Sequence, residues 1–262
     1  MEQQSGTNKK FSSETVTGIR HWANGLFSFR TSRPEGFSFQ AGQYVRLGLE
    51  DGDEAIWRPY SMVSAPAEKE LEFYSIRVPG GRFTTLLDRI EAGAPIFVEH
   101  QVYGFMTADR FDDGQDLWML ATGTGLGPFI SMLREETVWR RFPSIILVHG
   151  VRHARELAYA EELLRMQATP PVPGSRLSVL HCVTREALGS LPSGVLTGRI
   201  TTLTADGTLE RVAGRSLDPD TSRVMLCGNP AMIEEMRTLL RDRGMRPHRR
   251  ATPGQYITEN YW

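Results

Sequence analysis

The chain has 262 residues, 40% hydrophobic and 23% charged, an ordinary globular composition with room for two domains that each bury a core. Its 30 basic and 31 acidic residues leave a formal charge of -1, which excludes a global electrostatic footprint for nucleic acid. Two cysteines, Cys182 and Cys227, exclude a fused iron–sulfur module, which needs about four, and argue against a disulfide framework or a structural zinc site.

The first residues, MEQQSGTNKK, are polar and lack the apolar core of a signal peptide, and no run approaches the ~20 apolar residues of a membrane span. The expectation is a soluble, reduced, cytoplasmic protein with no membrane partner, in which nothing demands more than a monomer. Residues 1–10 read as a disordered tail. From residue 11 to about residue 100 the text is strand-like. Val45–Leu49, Leu71–Phe73 and Tyr74–Val78 alternate apolar with polar or small residues, and turn signals separate them at Pro34-Glu35-Gly36, Asp51-Gly52-Asp53 and Pro79-Gly80-Gly81. A short helix is predicted over Thr84–Ile90. Short strands with frequent turns predict an antiparallel β-barrel over 11–106.

A polar, Gly/Asp-rich stretch over 104–116 marks the domain boundary. Beyond it, apolar strands at Leu117–Ala121, Ile145–Val148, Leu177–Val183 and Val224–Cys227 alternate with helices predicted over Phe129–Arg140, over Glu156–Gln167 and from Pro230 to near Gly244. That rhythm predicts a second, α/β domain over 115–262, built on a parallel sheet covered on both faces.

Four motifs stand out, each with two readings. Gly123-Thr124-Gly125-Leu126-Gly127-Pro128 follows an apolar strand and opens a helix. Its glycines and the helix N-terminus suit a phosphate, although G-x-G-x-G is not the G-x-G-x-x-G fingerprint and also fits a plain tight turn. Arg58-Pro59-Tyr60-Ser61 offers a guanidinium for phosphate, a ring for an aromatic cofactor and a hydroxyl for a ring nitrogen; by chemistry alone an ordinary strand reads the same. Cys227-Gly228-Asn229-Pro230 ends a strand where ligands lie in open parallel sheets, yet a buried cysteine fits equally. Glu259-Asn260-Tyr261-Trp262 places two aromatics together, for binding or for packing. Arg185 and Arg199 bracket a loop and suit an extra phosphate or plain solvation. The stretch Arg237 to Arg250 is either a helix face and tail or a dock for an acidic protein. The six histidines show no ligand spacing, so no metal is expected.

In order and spacing, these motifs resemble the ferredoxin–NADP+ reductase family, in its bacterial short-chain subclass, over nearly the whole chain from Val16 to Trp262. The resemblance implies FAD in the barrel and NADP(H) on the second domain. It implies that Arg58 holds the FAD pyrophosphate, that Tyr60 stacks on the isoalloxazine and that Ser61 lies near flavin N5, with Pro59 a departure that leaves these three intact. Tyr74, Ser75, Ile76 and Arg77 match the strand lining the flavin. Arg82, Phe83 and Thr84 match a phosphate-contacting turn, with Thr84 as helix cap. Thr124 lies where the cofactors meet, and Tyr261 and Trp262 match terminal residues that touch FAD. For NADP(H), the resemblance implies Gly123, Thr124 and Gly125, Val151 and Arg152, Thr184, Arg185 and Arg199 for the 2′-phosphate, and Asn229, Pro230 and Ala231. Cys227 approaches the nicotinamide and Glu259 its reacting carbon, which makes Ser61, Cys227 and Glu259 the catalytic candidates. The implied activity joins hydride transfer from NADPH to one-electron delivery to ferredoxin or flavodoxin. A free-flavin reductase or oxygenase reductase component, or a non-enzymatic flavin- or nucleotide-binding module, remain the alternatives.

Overall fold

The computed structural model describes residues 10–260; all of the expected tail but Lys10 lies outside them, as do Tyr261 and Trp262. The first six strands are β1 (Phe11–Ala23), β2 (Leu26–Thr31), β3 (Tyr44–Asp51), β4 (Glu54–Ser61), β5 (Leu71–Ile76) and, after the helix α1 (Arg82–Leu87), β6 (Pro95–Glu99). They form one antiparallel sheet in the order β4-β3-β6-β1-β2-β5. Its edges curl together through a bridge between Met62 and Phe73 and a 2.7 Å bond from Val63 N–H to Glu72 O, which makes a half-barrel. Alternation does the work: Val45 and Leu47 face a core with Phe29, Phe73 and Phe83, while Arg46 between them faces out.

The second sheet contains β7 (Asp116–Thr122), β8 (Ser144–Val151), β9 (Arg176–Val183), β10 (Leu196–Thr197), β11 (Ser222–Gly228) and β12 (Tyr256–Asn260). All pairs are parallel, in the order β10-β9-β8-β7-β11-β12. The helices α2 (Gly127–Leu133), α3 (Glu136–Arg141) and α4 (Ala160–Ala168) cover one face; α5 (Ile200–Ala205), α6 (Thr208–Ala213) and α7 (Pro230–Asp242) cover the other. Burial on both faces is why these strands read as unbroken apolar runs. From β7 the chain winds outward through β8, β9 and β10, then returns to the other side of β7 for β11 and β12. The order therefore reverses between β7 and β11, and the crevice outside their carboxyl ends is where such sheets take ligands.

The core on the first face is shared: Leu26, Val63 and Tyr74 of the barrel pack in one cluster with Phe129, Ile130 and Tyr159. No described helix is long and apolar enough to cross a membrane.

Three predicted helices shift. Helix α1 starts at Arg82 rather than Thr84, so Thr84 is not its cap; its Oγ1 instead accepts from Val78 N–H at 3.1 Å. The helix predicted over Phe129–Arg140 breaks into α2 and α3 at Arg134-Glu135, where Glu135 is extended at φ -109° and ψ 140°. The helix predicted from Glu156 begins at Ala160, because Tyr159 before it is left-handed at φ 59°.

Candidate functional site

The carboxyl ends of β7 and β11 meet the end of β4 at the domain junction. Ser61, the last residue of β4, donates from Oγ to Glu259 Oε1 at 3.4 Å, across 198 residues of chain. Glu259 lies on β12 in register with Cys227 of β11, which brings all three catalytic candidates to one place. Burial pushes the Glu259 carboxyl up from 4.5 to about 7, with the Ser61 hydrogen bond pulling the other way. Cys227 is fully buried beside Met119, Leu126 and Ile257. Burial first, and the Glu259 carboxylate second, push its thiol well above the ordinary range, so it stays protonated and is no nucleophile.

The Gly-rich loop lies against this junction. Gly125 has no room for a side chain: a Cβ there would stand 2.4 Å from Cys227 O. Gly123 differs, left-handed at φ 55° with open space around it. Thr124 is buried between them. Beneath the loop, His149 Nε2–H donates to Gly123 O at 3.1 Å. Burial, and then its neighbour His181, push His149 down to about 3, so the ring is neutral there. Opposite, the N–H of Asn229 donates to Thr122 Oγ1 at 2.8 Å, and Asn229 Oδ1 accepts from Ala231 N–H at 2.8 Å, which caps α7 with Pro230 at its first turn.

The barrel side supplies cations. Arg58 and Pro59 are exposed on β4. Tyr60 is buried, its ring against Phe29, Phe73 and Phe83 and its hydroxyl 2.9 Å from Ser75 Oγ. Tyr74 and Ser75 are buried on β5, with Ile76 and Arg77 progressively more open. Arg82 is exposed and pairs with Asp51, and no side chain caps the first turn of α1. Phe83 packs under Tyr60, so only its backbone faces that turn. Exposed arginines and free first-turn amides are the donor set a diphosphate needs. The residues present therefore fit FAD.

At the carboxyl ends of β8 and β9, Thr184 N–H donates to Val151 O at 3.1 Å and Arg185 N–H to Arg152 O at 2.9 Å. Arg152, Arg185 and Arg199 are exposed here, and Val151 is buried below them. The acids nearby are engaged. Glu156 accepts from the N–H groups of Arg152 at 3.0 Å and His153 at 3.2 Å, and Glu186 accepts from Ala154 N–H at 2.9 Å. Among the described residues, exposed cations beside acids that are already engaged fit a nucleotide that carries an extra phosphate.

The stretch Arg237 to Arg250 does not gather at this junction. Arg237 and Arg241 pair with Glu234, and Arg243 with Glu210. Arg249 and Arg250 lie before Tyr256, at the other end of β12 from Glu259, roughly 10 Å along the strand.

Sequence reasoning missed Tyr44, Tyr103 and His149. The rings of Tyr44 and Tyr103 stack at 5.5 Å. Between them and the carboxylate, a Cβ on Gly104 would stand 3.1 Å from Tyr44 Cδ1 and 3.3 Å from Glu259 Oε2. No local pattern marks these residues; only the pairing of β3 with β4 brings Tyr44 opposite Ser61.

A half-barrel set against a parallel sheet, with diphosphate donors on one and a nucleotide crevice on the other, defines a two-domain flavin and nicotinamide-nucleotide oxidoreductase. Residues 21–102 match the family model of the oxidoreductase FAD-binding domain and residues 119–238 that of the oxidoreductase NAD-binding domain. The chain is 35% identical over 252 residues to a flavodoxin/ferredoxin–NADP reductase of Rhodobacter capsulatus, covering 94% of this chain and 91% of that one. It is 38% identical over 248 residues to the enzyme of that name from Escherichia coli, covering 94% and 97%. A solved ferredoxin NADP+ reductase from Neisseria gonorrhoeae, with bound FAD and NADP, superposes with a TM-score of 0.91 at 33% identity, over 97% of this chain and 100% of that one. The chain belongs to the ferredoxin/flavodoxin–NADP reductase family.

Proposed function

We propose that this chain exchanges electrons between NADP(H) and a one-electron carrier, ferredoxin or flavodoxin, in the cytoplasm, with residues 11–106 holding FAD and 115–262 holding NADP(H). The observation that carries the reading is the Ser61–Glu259 contact at the sheet's switch point, where a group on the barrel and a group in the crevice would meet. When bound, FAD supplies the chemistry: it takes a hydride from NADPH and releases the electrons one at a time.

The chain's own part is to bind and align. Arg58 and Arg82, with the α1 amides of Phe83 and Thr84, hold the diphosphate. Tyr60, Tyr74, Ser75, Ile76 and Arg77 line the flavin. Gly123, Thr124 and Gly125 take the nicotinamide nucleotide's phosphates, with Val151, Arg152, Asn229, Pro230 and Ala231 around it. Arg185 and Arg199, beside Thr184, take the 2′-phosphate. Cys227 is fully buried and presents no thiol to the nicotinamide; its backbone supports the Gly125 turn from beneath.

Ser61 and Glu259 manage a proton. With Glu259 ionised, Ser61 Oγ–H donates to the carboxylate, which would leave the serine lone pairs to accept from a bound cofactor. With Glu259 protonated, the carboxyl would donate to Ser61 Oγ and free the serine proton. A carboxyl titrating near neutrality serves both states. Ser61→Ala should slow hydride transfer about tenfold or more, ~1.4 kcal/mol, and leave NADPH affinity within about twofold. An unchanged stopped-flow reduction rate would reject the role.

A further inference from the structure

Resting on that reading, we propose that Arg134 is a positioning residue for hydride transfer: with Glu72 and Tyr159 it locks the angle between the two domains on which the approach of nicotinamide to flavin depends. Among the described residues, the side-chain hydrogen bond at the junction, Ser61 to Glu259, is single and long at 3.4 Å. Alignment good to a fraction of an ångström must therefore be held elsewhere, since about 1 Å of misplacement can cost ~100-fold in rate.

Arg134 stands at the end of α2, the helix that starts from the Gly-rich loop. Its guanidinium is 13% exposed and reaches both domains. Toward the barrel it donates to Glu72 Oε2 at 2.7 Å, Val63 O at 3.1 Å and Glu68 Oε1 at 3.4 Å. Toward its own domain it forks onto Glu162 of α4 at 2.7 and 3.0 Å. Arg134 thus holds three carboxylates that would otherwise repel across the interface, one of which, Glu72, also takes Arg30 at 3.4 Å. Ser131, one turn earlier, adds a 2.7 Å bond to Ser64 O.

Tyr159 is the second clasp. Its backbone is left-handed at φ 59°, a conformation that a tyrosine keeps only when its surroundings impose it. Its hydroxyl donates to Glu72 Oε1 at 2.8 Å, so Glu72 takes Arg134 on one oxygen and Tyr159 on the other. The Tyr159 ring meets Trp22 of β1 at 4.6 Å and Tyr74 of β5 at 5.4 Å. Glu72 and Tyr74 share β5 with Ser75 and Ile76, so the lock is continuous with the strand assigned to the flavin. A groove of about 550 Å³ opens over the cluster, which gives the interface room to move once the lock is cut.

The test compares full-length holoenzymes of wild type, Arg134→Met, Arg134→Lys and Tyr159→Phe. FAD content, NADPH affinity, the anaerobic hydride-transfer rate at saturating NADPH, and amide exchange in β5 and α2 are measured on each. Arg134→Met should keep its FAD, bind NADPH within about threefold, lose about tenfold or more in hydride transfer and exchange faster along β5. Arg134→Lys should recover part of the rate, and Tyr159→Phe should lose about threefold. Unchanged rates at saturation in Arg134→Met and Tyr159→Phe would overturn the proposal, as would a loss that tracks NADPH affinity alone. Should Arg134→Met not fold, Tyr159→Phe decides, since it removes one hydroxyl and nothing else. A wild type that NADPH does not reduce overturns the functional reading together with this proposal; a normal wild type beside unaffected variants overturns the proposal alone.

Discussion

Glu259 shows what a single residue contributes at this junction. Burial raises its pKa from 4.5 to about 7, so the folded chain holds this proton more tightly than the unfolded chain does. Stability therefore falls as pH rises through that window and levels off above it, with an upper bound of about 3 kcal/mol for the whole titration. Glu259→Gln, which cannot ionise, should remove that slope: the difference between wild-type and variant urea midpoints should grow from pH 4.5 to 7 and then stay constant. A difference independent of pH would mean that Glu259 titrates like an exposed carboxyl. At the nucleotide end, the proposed 2′-phosphate site gives Arg185 the task of distinguishing the two dinucleotides. Arg185→Ala should weaken NADPH binding by about tenfold or more, ~1.4 to 3 kcal/mol for a charge-assisted contact, and leave NADH within about twofold. Equal losses for both nucleotides, measured by titration, would reject the 2′-phosphate assignment.

The Gly-rich turn is the element where two reasons for glycine separate. At Gly125 the reason is space, because the backbone of Cys227 and Gly228 at the end of β11 lies directly against it; at Gly123 it is a positive φ in open surroundings. Gly125→Ala should force the loop away from the end of β11 and cost about 1–3 kcal/mol or more, with weaker NADPH binding. Gly123→Ala should cost only about 1–2 kcal/mol of backbone strain. Denaturant midpoints rank the two, and equal values would contradict the separation. Elements of this kind differ in how well they read in sequence. β7, β8 and β11 are legible because burial on both faces gives them apolar runs, and β9, partly open, through Leu177, Val179, Leu180, Cys182 and Val183. β1 is long but mostly open, so FSSETVTGIRHWA carries no clean alternation, and the two-residue β10 is too short to carry any. The break between α2 and α3 has neither glycine nor proline. It falls where Arg134 turns to the barrel, a tertiary demand with no local sign. The left-handed Tyr159 is silent for the same reason. Among candidate site residues, Arg58, Ser61, Cys227 and Glu259 stand out in the sequence because their motifs occur in the order the family resemblance names. Tyr44, Tyr103 and Arg134 join them only through contacts that the assembled fold creates.

Across the whole molecule, two domains share one core and meet at two contrasting places. One is the sparse junction of Ser61 and Glu259; the other is the dense ion cluster around Arg134, about one α2 length from the Gly-rich loop, or roughly 10 Å. On the proposed roles, chemistry sits where the contacts are few and alignment where they are many. The measurement that tests this account most directly is an anaerobic absorbance titration of the purified chain, first with NADPH and then with NADH. The account predicts a yellow protein whose flavin absorbance bleaches with NADPH and much less with NADH. A colourless protein that stays colourless after FAD is added would contradict the site built on Arg58, Tyr60 and Ser61, and the electron transfer assigned to it.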